Sequence, residues 1–414
     1  MKKILIIGAG QSGLQTGIGL VKAGFDVTIV TNRTAEEVEK GRISSSQYMF
    51  DMALQNERDL GIEFWGDDEN LQGHSVGLAV ANPENPSETA INWVGNLTSG
   101  KAIGLSIDQR VKFPRWMKEF EKLGGNLIIH DADVQYIDKL SADYDLTIVA
   151  AGKGDIVRMF ERDDEKCMYD KPMRALGLTY VTGMKPNKNP GVRFNLIPTV
   201  GEYFVFPALT TTGYCEIMVF EGVPGGPMDC WGDVKTPEEH LAKSKWIVET
   251  FAPWEAHRIK DIQLTDDNGI LAGRFPPTVR KPVATLPSGR KVLGIADVVV
   301  VNDPITGQGS NNASKCSKIY LDSIIANKDK EYDETWMQKT FDEYWKYAEL
   351  VTLWTNTLLG PPPPYVLNVL GAAGQIPSLA DTIADNFSDP TKFFPWWLDE
   401  EKANNLIKEK AQVS

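Results

Sequence analysis

The opening of the chain leaves few folds available. An apolar strand, Lys3 to Ile7, runs directly into Gly8-Ala9-Gly10-Gln11-Ser12-Gly13, and a helix is expected from about Leu14. Each glycine has a job there. Gly8 makes the tight turn, Gly10 lets a pyrophosphate approach the backbone, and Gly13 lets the helix pack closely on the strand. Free amides at the helix start, including those of Gln11 and Ser12, then face the phosphates. A second strand, Val27 to Val30, follows at the spacing of a βαβ unit. The pattern predicts a dinucleotide-binding domain.

The end of that second strand reads Val30-Thr31-Asn32-Arg33, without the acidic residue that usually holds the adenosine ribose. Thr31 and Asn32 can hydrogen-bond a ribose, but without charge assistance each contact is weaker than a carboxylate's. Arg33 would suit a 2′-phosphate and hence NADP. The choice between NADP and FAD falls to the rest of the chain.

With 414 residues, 42% of them hydrophobic and 24% charged, the chain can bury two or three domains' worth of core. A net charge of −13 argues against nucleic acid or an anionic membrane as the main partner. Met1-Lys2-Lys3 leads at once into the first strand, so no secretory leader is expected and the reading is cytoplasmic. Apolar runs such as Val292 to Val301 are too short to span a bilayer and read as buried strands. Cys167, Cys215, Cys230 and Cys316 show no CxxC spacing and read as structural thiols. His74, His130, His240 and His257 lack metal-ligand spacing, so no metal is expected.

Along the chain, Gln47 to Leu60 looks helical, as does Lys112 to Leu123, and strands are expected at Leu127 to His130 and Leu146 to Ala150. A block of strands follows: Ala175 to Val181, Val192 to Ile197, Tyr203 to Phe206 and Cys215 to Phe220, separated by Pro and Gly turns. Residues 238–260 read as helix with Trp246 and Trp254 inward. Gly307-Gln308-Gly309-Ser310-Asn311-Asn312 opens a helix through Ile325, and from Asp333 onward the chain is helical with a Trp-rich core.

On these motifs the chain resembles two-component, FAD-dependent styrene and indole monooxygenase epoxidases over nearly its whole length. The resemblance rests on Gly8 to Gly13, Gly41-Arg42 with Ser44-Ser45-Ser46-Gln47, Tyr144-Asp145-Leu146 through Gly152-Lys153-Gly154, Gly294 to Asp297, Asp303-Pro304 with Gly307-Gln308-Gly309, and Trp354-Thr355-Asn356. The Ser-rich segment, with Gln55 to Trp65 after it, is closer to the indole branch. The resemblance implies an α/β fold like that of p-hydroxybenzoate hydroxylase. A single Rossmann-type FAD domain (1–72, 100–170 and 285–330) is interrupted by an antiparallel-sheet substrate domain (73–99 and 171–284) and followed by a helical region (331–414).

It also implies roles. Asp297 would hold the ribityl hydroxyls, with Ala296 where the family's Gly-Asp pair has glycine. Pro304, Gly307, Gln308 and Gly309 would line the isoalloxazine, and Arg42 and Arg110 would lie near the diphosphate and ribityl chain. His74 falls where the family has a pocket histidine, read equally as a surface or core residue. Ser44, Ser45 and Ser46 either line the flavin face on the substrate side or cap the helix after them. Physics supports the late motif independently, because amides of Gly309, Ser310 and Asn311 at a helix start favour the negative charge of a reduced flavin.

No second glycine motif follows a strand, so no NADH-binding domain is visible. The resemblance supplies a separate NADH-dependent flavin reductase that releases reduced FAD. With O2 this would give a flavin 4a-hydroperoxide that epoxidises indole or a styrene-like alkene, with Pro304, Gly307, Ser45 and His74 nearest the chemistry and indole leading on to indoxyl and indigo. A homodimer is compatible with this picture. The rival readings are a one-component NAD(P)H-dependent aromatic hydroxylase, which usually carries aspartate where Lys153 stands, a flavin-dependent halogenase, whose Trp-x-Trp-x-x-Pro segment is missing, and a noncatalytic flavin-fold binding protein.

Overall fold

A computed structural model describes residues 1–152 and 154–412. Two large sheets organise it. The first is parallel through five strands, in the order Lys291–Gly294, Leu146–Val149, Lys3–Ile7, Asp26–Thr31 and Asn126–Ile129, with Val283–Thr285 added antiparallel at one edge. Lys3–Ile7 sits in its middle, and Ile4, Leu5 and Ile6 are wholly buried. At about 1.5–3 kcal/mol per buried aliphatic side chain, this strand is a main anchor of the parallel sheet. Such a continuous apolar run is what a parallel strand covered on both faces requires.

The helix Gln11–Lys22 crosses between the first two strands. It begins at Gln11, three residues before the position expected from apolar periodicity, because its first turn is polar. Its Gly19 packs on Leu321 of the helix Gly309–Ala326, and the Ser317 hydroxyl donates to the Ser12 carbonyl at 3.3 Å.

The second sheet has eight strands. Its spine runs Ala175–Thr182, Gly213–Gly222, Gly201–Thr210, Gly191–Ile197, Ser75–Ala81, Thr89–Asn96. All these pairings are antiparallel except Gly191–Ile197 with Ser75–Ala81, so the predicted antiparallel sheet carries one parallel junction. Alternation divides its side chains. Phe194, Phe204, Phe206 and Ile217 face a core shared with the C-terminal helices, while Tyr203, Val205, Met218 and Phe220 face the helix Pro237–Phe251. The C-terminal helices Glu334–Leu358, Pro364–Ala372, Pro377–Asn386 and Glu400–Ala411 close the first of these faces, with Trp354 stacked on Phe393 at 4.4 Å. Trp354, Trp396 and Trp397 are core residues, as read.

Three local expectations need correction. Gln47–Leu60 is not one helix: Met49–Phe50 pairs with Gly104–Leu105, and the helix runs only Asp51–Asp59. Val292–Val301 is not one strand: it breaks at a 3-10 turn, Ala296–Val298, and resumes as Val300–Val301. Trp246 is 40% exposed, lying across Phe251 and under the Lys243 ammonium rather than inward. Trp254 does turn in, donating from Nε1 to Asn195 Oδ1 at 2.7 Å. The contrast drawn on Lys153 lies outside the described residues. Among the described residues, no helix is long and apolar enough to cross a membrane, and no His/Cys/Asp/Glu group could hold a metal.

Candidate dinucleotide site

The glycine turn after the first strand has the geometry its sequence demands. Gly8 holds φ 113°, a left-handed conformation, and its N–H donates to the Val30 carbonyl at 2.8 Å. A Cβ on Gly13 would overlap the Gly8 carbonyl oxygen, so helix and turn touch backbone to backbone. A Cβ on Gly10 would meet nothing within 4 Å, and Gly10 caps the helix without any side-chain hydrogen bond. This helix start therefore presents free amides to open space, as an incoming phosphate needs.

The late motif repeats the arrangement. Asp303 accepts from the Ile305 N–H at 3.1 Å and so caps the turn Pro304–Thr306, which ends at Gly307 with φ 64°. The helix Gly309–Ala326 then begins with no side-chain cap, and a Cβ on Gly309 would again meet nothing within 4 Å. Its Asn311 is wholly buried and serves the scaffold, donating to the Tyr48 carbonyl at 2.9 Å and accepting from the Phe50 N–H at 2.8 Å. Ser310 donates to Gln47 Oε1 at 3.3 Å. Two glycine-flanked, uncapped helix starts thus carry the polar half of the site.

Asp297 is exposed on the 3-10 turn after Lys291–Gly294, and a Cβ on Gly152 would lie 3.1 Å from its Cβ, so this acid stands beside the loop that ends Leu146–Val149. The preceding Ala296 takes a left-handed conformation, φ 52°, that glycine would adopt without strain. Left-handed alanine costs about 1–2 kcal/mol, roughly what its buried methyl and smaller unfolded-state entropy return. Ala296→Gly should therefore be close to neutral. Ala296→Val, β-branched at positive φ, should lose about 2–3 kcal/mol in urea unfolding; equal stability of the two variants would contradict the assigned backbone. Cys316 Sγ supports the turn by accepting the Ala296 N–H at 3.4 Å, a structural role for that thiol.

Several sequence-predicted side chains are engaged elsewhere. Gln11 turns away from the turn's open side, donating to Gln15 Oε1 at 3.0 Å and Glu57 Oε1 at 2.9 Å. Glu57 in turn accepts from Lys112 Nζ at 2.5 Å, and all three are buried. Burial pushes the Glu57 carboxyl up and the Lys112 ammonium down, opposed in each case by the partner charge. Arg110, 3% exposed, is held by Asp108 (2.9 Å), Asp266 (2.8 and 3.0 Å) and Thr210 (3.0 Å). Its donors hold the loop after Gly41 in place, with none left for a diphosphate. Gln308 donates to the Phe387 carbonyl at 3.1 Å, tying the late turn to the C-terminal helices.

Thr31 closes its strand, and Asn32, Arg33 and Arg42 are exposed around it. Ser44 donates to Gln109 Oε1 at 2.6 Å, while Ser45 is exposed and Ser46 half-buried on the same loop. None of the three caps the following helix, whose N-cap is Phe50, so the capping alternative falls. His74 is exposed with Nδ1 3.1 Å from the Ala102 carbonyl, which places its ring at the surface rather than in a buried pocket. His240 is also no ligand: it stacks on Trp231 at 4.5 Å, and burial pushes it down to about 4.

Facing the late turn is an aromatic wall. Phe194 lies 4.0 Å from where a Gly307 Cβ would stand, and it continues through Phe387 (5.0 Å), Phe50 (5.8 Å from Phe387), Tyr48 (5.2 Å from Phe50) and Phe206 (5.4 Å from Tyr48). The Tyr48 hydroxyl is buried against Gly73 and Gly104, with no hydrogen-bond partner among the described residues. Sequence reasoning missed the wall, the Glu57–Lys112 pair and a set of buried charges, Arg174, Glu202 and Glu221, beneath Asp303. The available signal was a charged residue inside an apolar alternation, as in Val219-Phe220-Glu221 or Val111-Lys112-Phe113.

Residues 152–258 match the family model described as "Styrene monooxygenase A putative substrate binding domain". The chain is 28% identical over 403 residues to styrene monooxygenase StyA of Pseudomonas fluorescens, covering 94% of each chain, and equally so to StyA of a Pseudomonas species. Among solved structures, the flavin-dependent brominase Bmp2 superposes with a TM-score of 0.66 at 13% identity, covering 99% of both chains. A flavoprotein/dehydrogenase from Cytophaga hutchinsonii superposes at 0.68 and 14%, covering 99% of this chain and 98% of that one. The chain is thus similar along nearly its whole length to styrene monooxygenases, on an α/β fold with a helical C-terminal region that it shares with flavin-dependent enzymes.

Proposed function

We propose that this protein is the oxygenase component of a two-component flavin monooxygenase, taking reduced FAD from a separate NADH-dependent reductase and epoxidising a small aromatic alkene. The observation that carries this reading is the pairing of two uncapped, glycine-opened helix starts, at Gly10 and Gly309, with an aromatic wall reached from Gly307. Bound reduced FAD would supply the activation of O2 and the oxygen atom transferred to the alkene. The protein's own work is positional. The amides after Gly10 hold the diphosphate, Asp297 takes the ribityl hydroxyls, and the amides after Gly309 favour a negatively charged ring. Pro304 and Gly307 place that ring against the wall, which orients the double bond and excludes water. Ser45, on the Gly41–Tyr48 loop, borders the substrate side.

The neutral Thr31-Asn32 pair suits a cofactor that must arrive and depart, because no charged ribose contact retains it. The discontinuous flavin domain, the substrate sheet and the helical region assigned from sequence fit this division of labour. Indole is the substrate we favour over styrene, because the Ser44–Ser46 segment resembles the indole branch. In the test, purified protein is supplied with indole, O2, FAD and NADH, with and without a flavin reductase, and then with styrene in place of indole. Indigo should form only with the reductase present. Unaided NADH consumption would instead identify a one-component hydroxylase, and styrene oxide formed in preference to indole products would move the substrate to the styrene branch.

A further inference from the structure

Beneath the late turn lies a charge cluster that the function proposed above does not use. Antiparallel register sets Glu202 directly opposite Glu221 on neighbouring strands, and Arg174 stands immediately before Ala175, which pairs with Gly222 on the next strand. The Arg174 guanidinium takes Glu202 in a bidentate pair, 2.7 and 2.9 Å, and donates its remaining hydrogen bonds to the Met173 and Leu359 carbonyls. Glu221, fully buried, receives no N–H donor from the described residues at either oxygen. What it faces is the carboxyl of Asp303, 2% exposed, which crosses from the nucleotide domain and caps the Pro304–Thr306 turn. The other titratable group nearby is the Tyr169 hydroxyl, committed to the Asn356 carbonyl at 3.1 Å.

Three buried carboxyl groups here share one cation, and like charges directly opposite on a sheet repel. An ionised Glu221 would have only the Arg174 charge, already taken by Glu202 in a bidentate pair, whereas a protonated one can donate to Asp303. We propose that Glu221 stays protonated and donates to Asp303, an acid–carboxylate latch that fastens the Pro304–Gly307 turn to the substrate sheet, and that loss of this proton frees the turn. Burial, then the Asp303 and Glu202 charges, push the Glu221 carboxyl well above the usual range, in the same sense as the geometry. A group whose proton is held more tightly in the folded state contributes stability below its ordinary range that is lost as pH rises towards its folded value. Glu221 is thus a positioning residue acting through Asp303 on the turn that would meet the flavin, and its role rests on the function proposed above.

Wild type, Glu221→Gln and Glu221→Leu distinguish the latch from simple packing. In the cofactor-free protein, infrared spectra near pH 8 should show the carbonyl stretch of a buried protonated carboxylic acid, absent from Glu221→Gln. In anaerobic titrations, wild-type affinity for reduced FAD should fall about tenfold as pH rises through the range in which that acid band is lost. Glu221→Gln, whose amide donates to Asp303 without titrating, should hold its affinity across that range, and Glu221→Leu should be about tenfold weaker at both ends. If Glu221→Leu does not fold, Asp303→Asn, which removes the acceptor charge, should show the same uniform weakening. Absence of the acid band, or a Glu221→Gln profile that falls with pH as the wild type does, would overturn the latch. Failure of every form to bind reduced FAD would overturn the proposed function, while the acid band would still decide the protonation.

Discussion

Lys112→Met should destabilise the folded protein by about 3–5 kcal/mol, because it strands the Glu57 carboxylate in a site from which water is excluded. Lys112 and Glu57 are 1% exposed each, their charged atoms 2.5 Å apart, and Lys112 Nζ also lies over the Trp116 ring at 4.6 Å. The double variant Lys112→Met with Glu57→Leu removes both charges and should recover most of the loss, since a buried pair replaced by apolar groups is often neutral. The pH dependence carries the sign. In the single variant Glu57 has lost its cation, so its carboxyl rises further above the unfolded value and stability falls as pH increases through that interval. The deficit should be smallest near about pH 4 and larger at neutral pH. Urea unfolding at the two pH values measures it; equal loss in single and double variants would mean that packing, not charge, holds this site.

The second large effect separates folding from binding. Gly10 has φ −89°, which any residue adopts, and open space where a Cβ would go. Gly10→Ala should therefore leave stability within about 0.5 kcal/mol of wild type while weakening reduced-FAD binding about tenfold or more, because the methyl occupies the approach of the diphosphate. Gly13→Ala is the contrasting case, since its Cβ would overlap the Gly8 carbonyl oxygen and the helix would have to move. It should lower stability and binding together. A Gly10→Ala protein that binds reduced FAD as wild type does would remove the phosphates from that helix start.

Much of the scaffold was readable because it is local. Lys3 to Ile7 is a strand by its own apolar run, and the turn that follows needs glycine for reasons contained in six residues. The errors arose where distant groups decide. Met49–Phe50 leaves the helical pattern because it finds Gly104–Leu105, more than fifty residues on. The break after Ile295 is hidden because alanine, not glycine, adopts the left-handed conformation there. Gln11 sits in the cofactor motif, yet its side chain belongs to Glu57, a partner that no local pattern reveals. Arg110 follows the same logic: an arginine invites a phosphate in sequence, but Asp108 and Asp266 have already taken it. The aromatic wall was invisible for the opposite reason, since each of its rings reads only as core until the strands and C-terminal helices bring them to one face.

Receiving electrons on a travelling cofactor requires an affinity for the two-electron-reduced flavin that exceeds the affinity for the oxidised one. Anaerobic fluorescence titration of the purified protein with FAD, first oxidised and then chemically reduced, measures this without any reductase, substrate or turnover. Tighter binding of the reduced form by about tenfold or more is predicted from the helix start at Gly309, which meets its added charge. Equal affinities, or oxidised FAD held so firmly that it copurifies, would contradict the claim that this protein receives its electrons on a travelling cofactor.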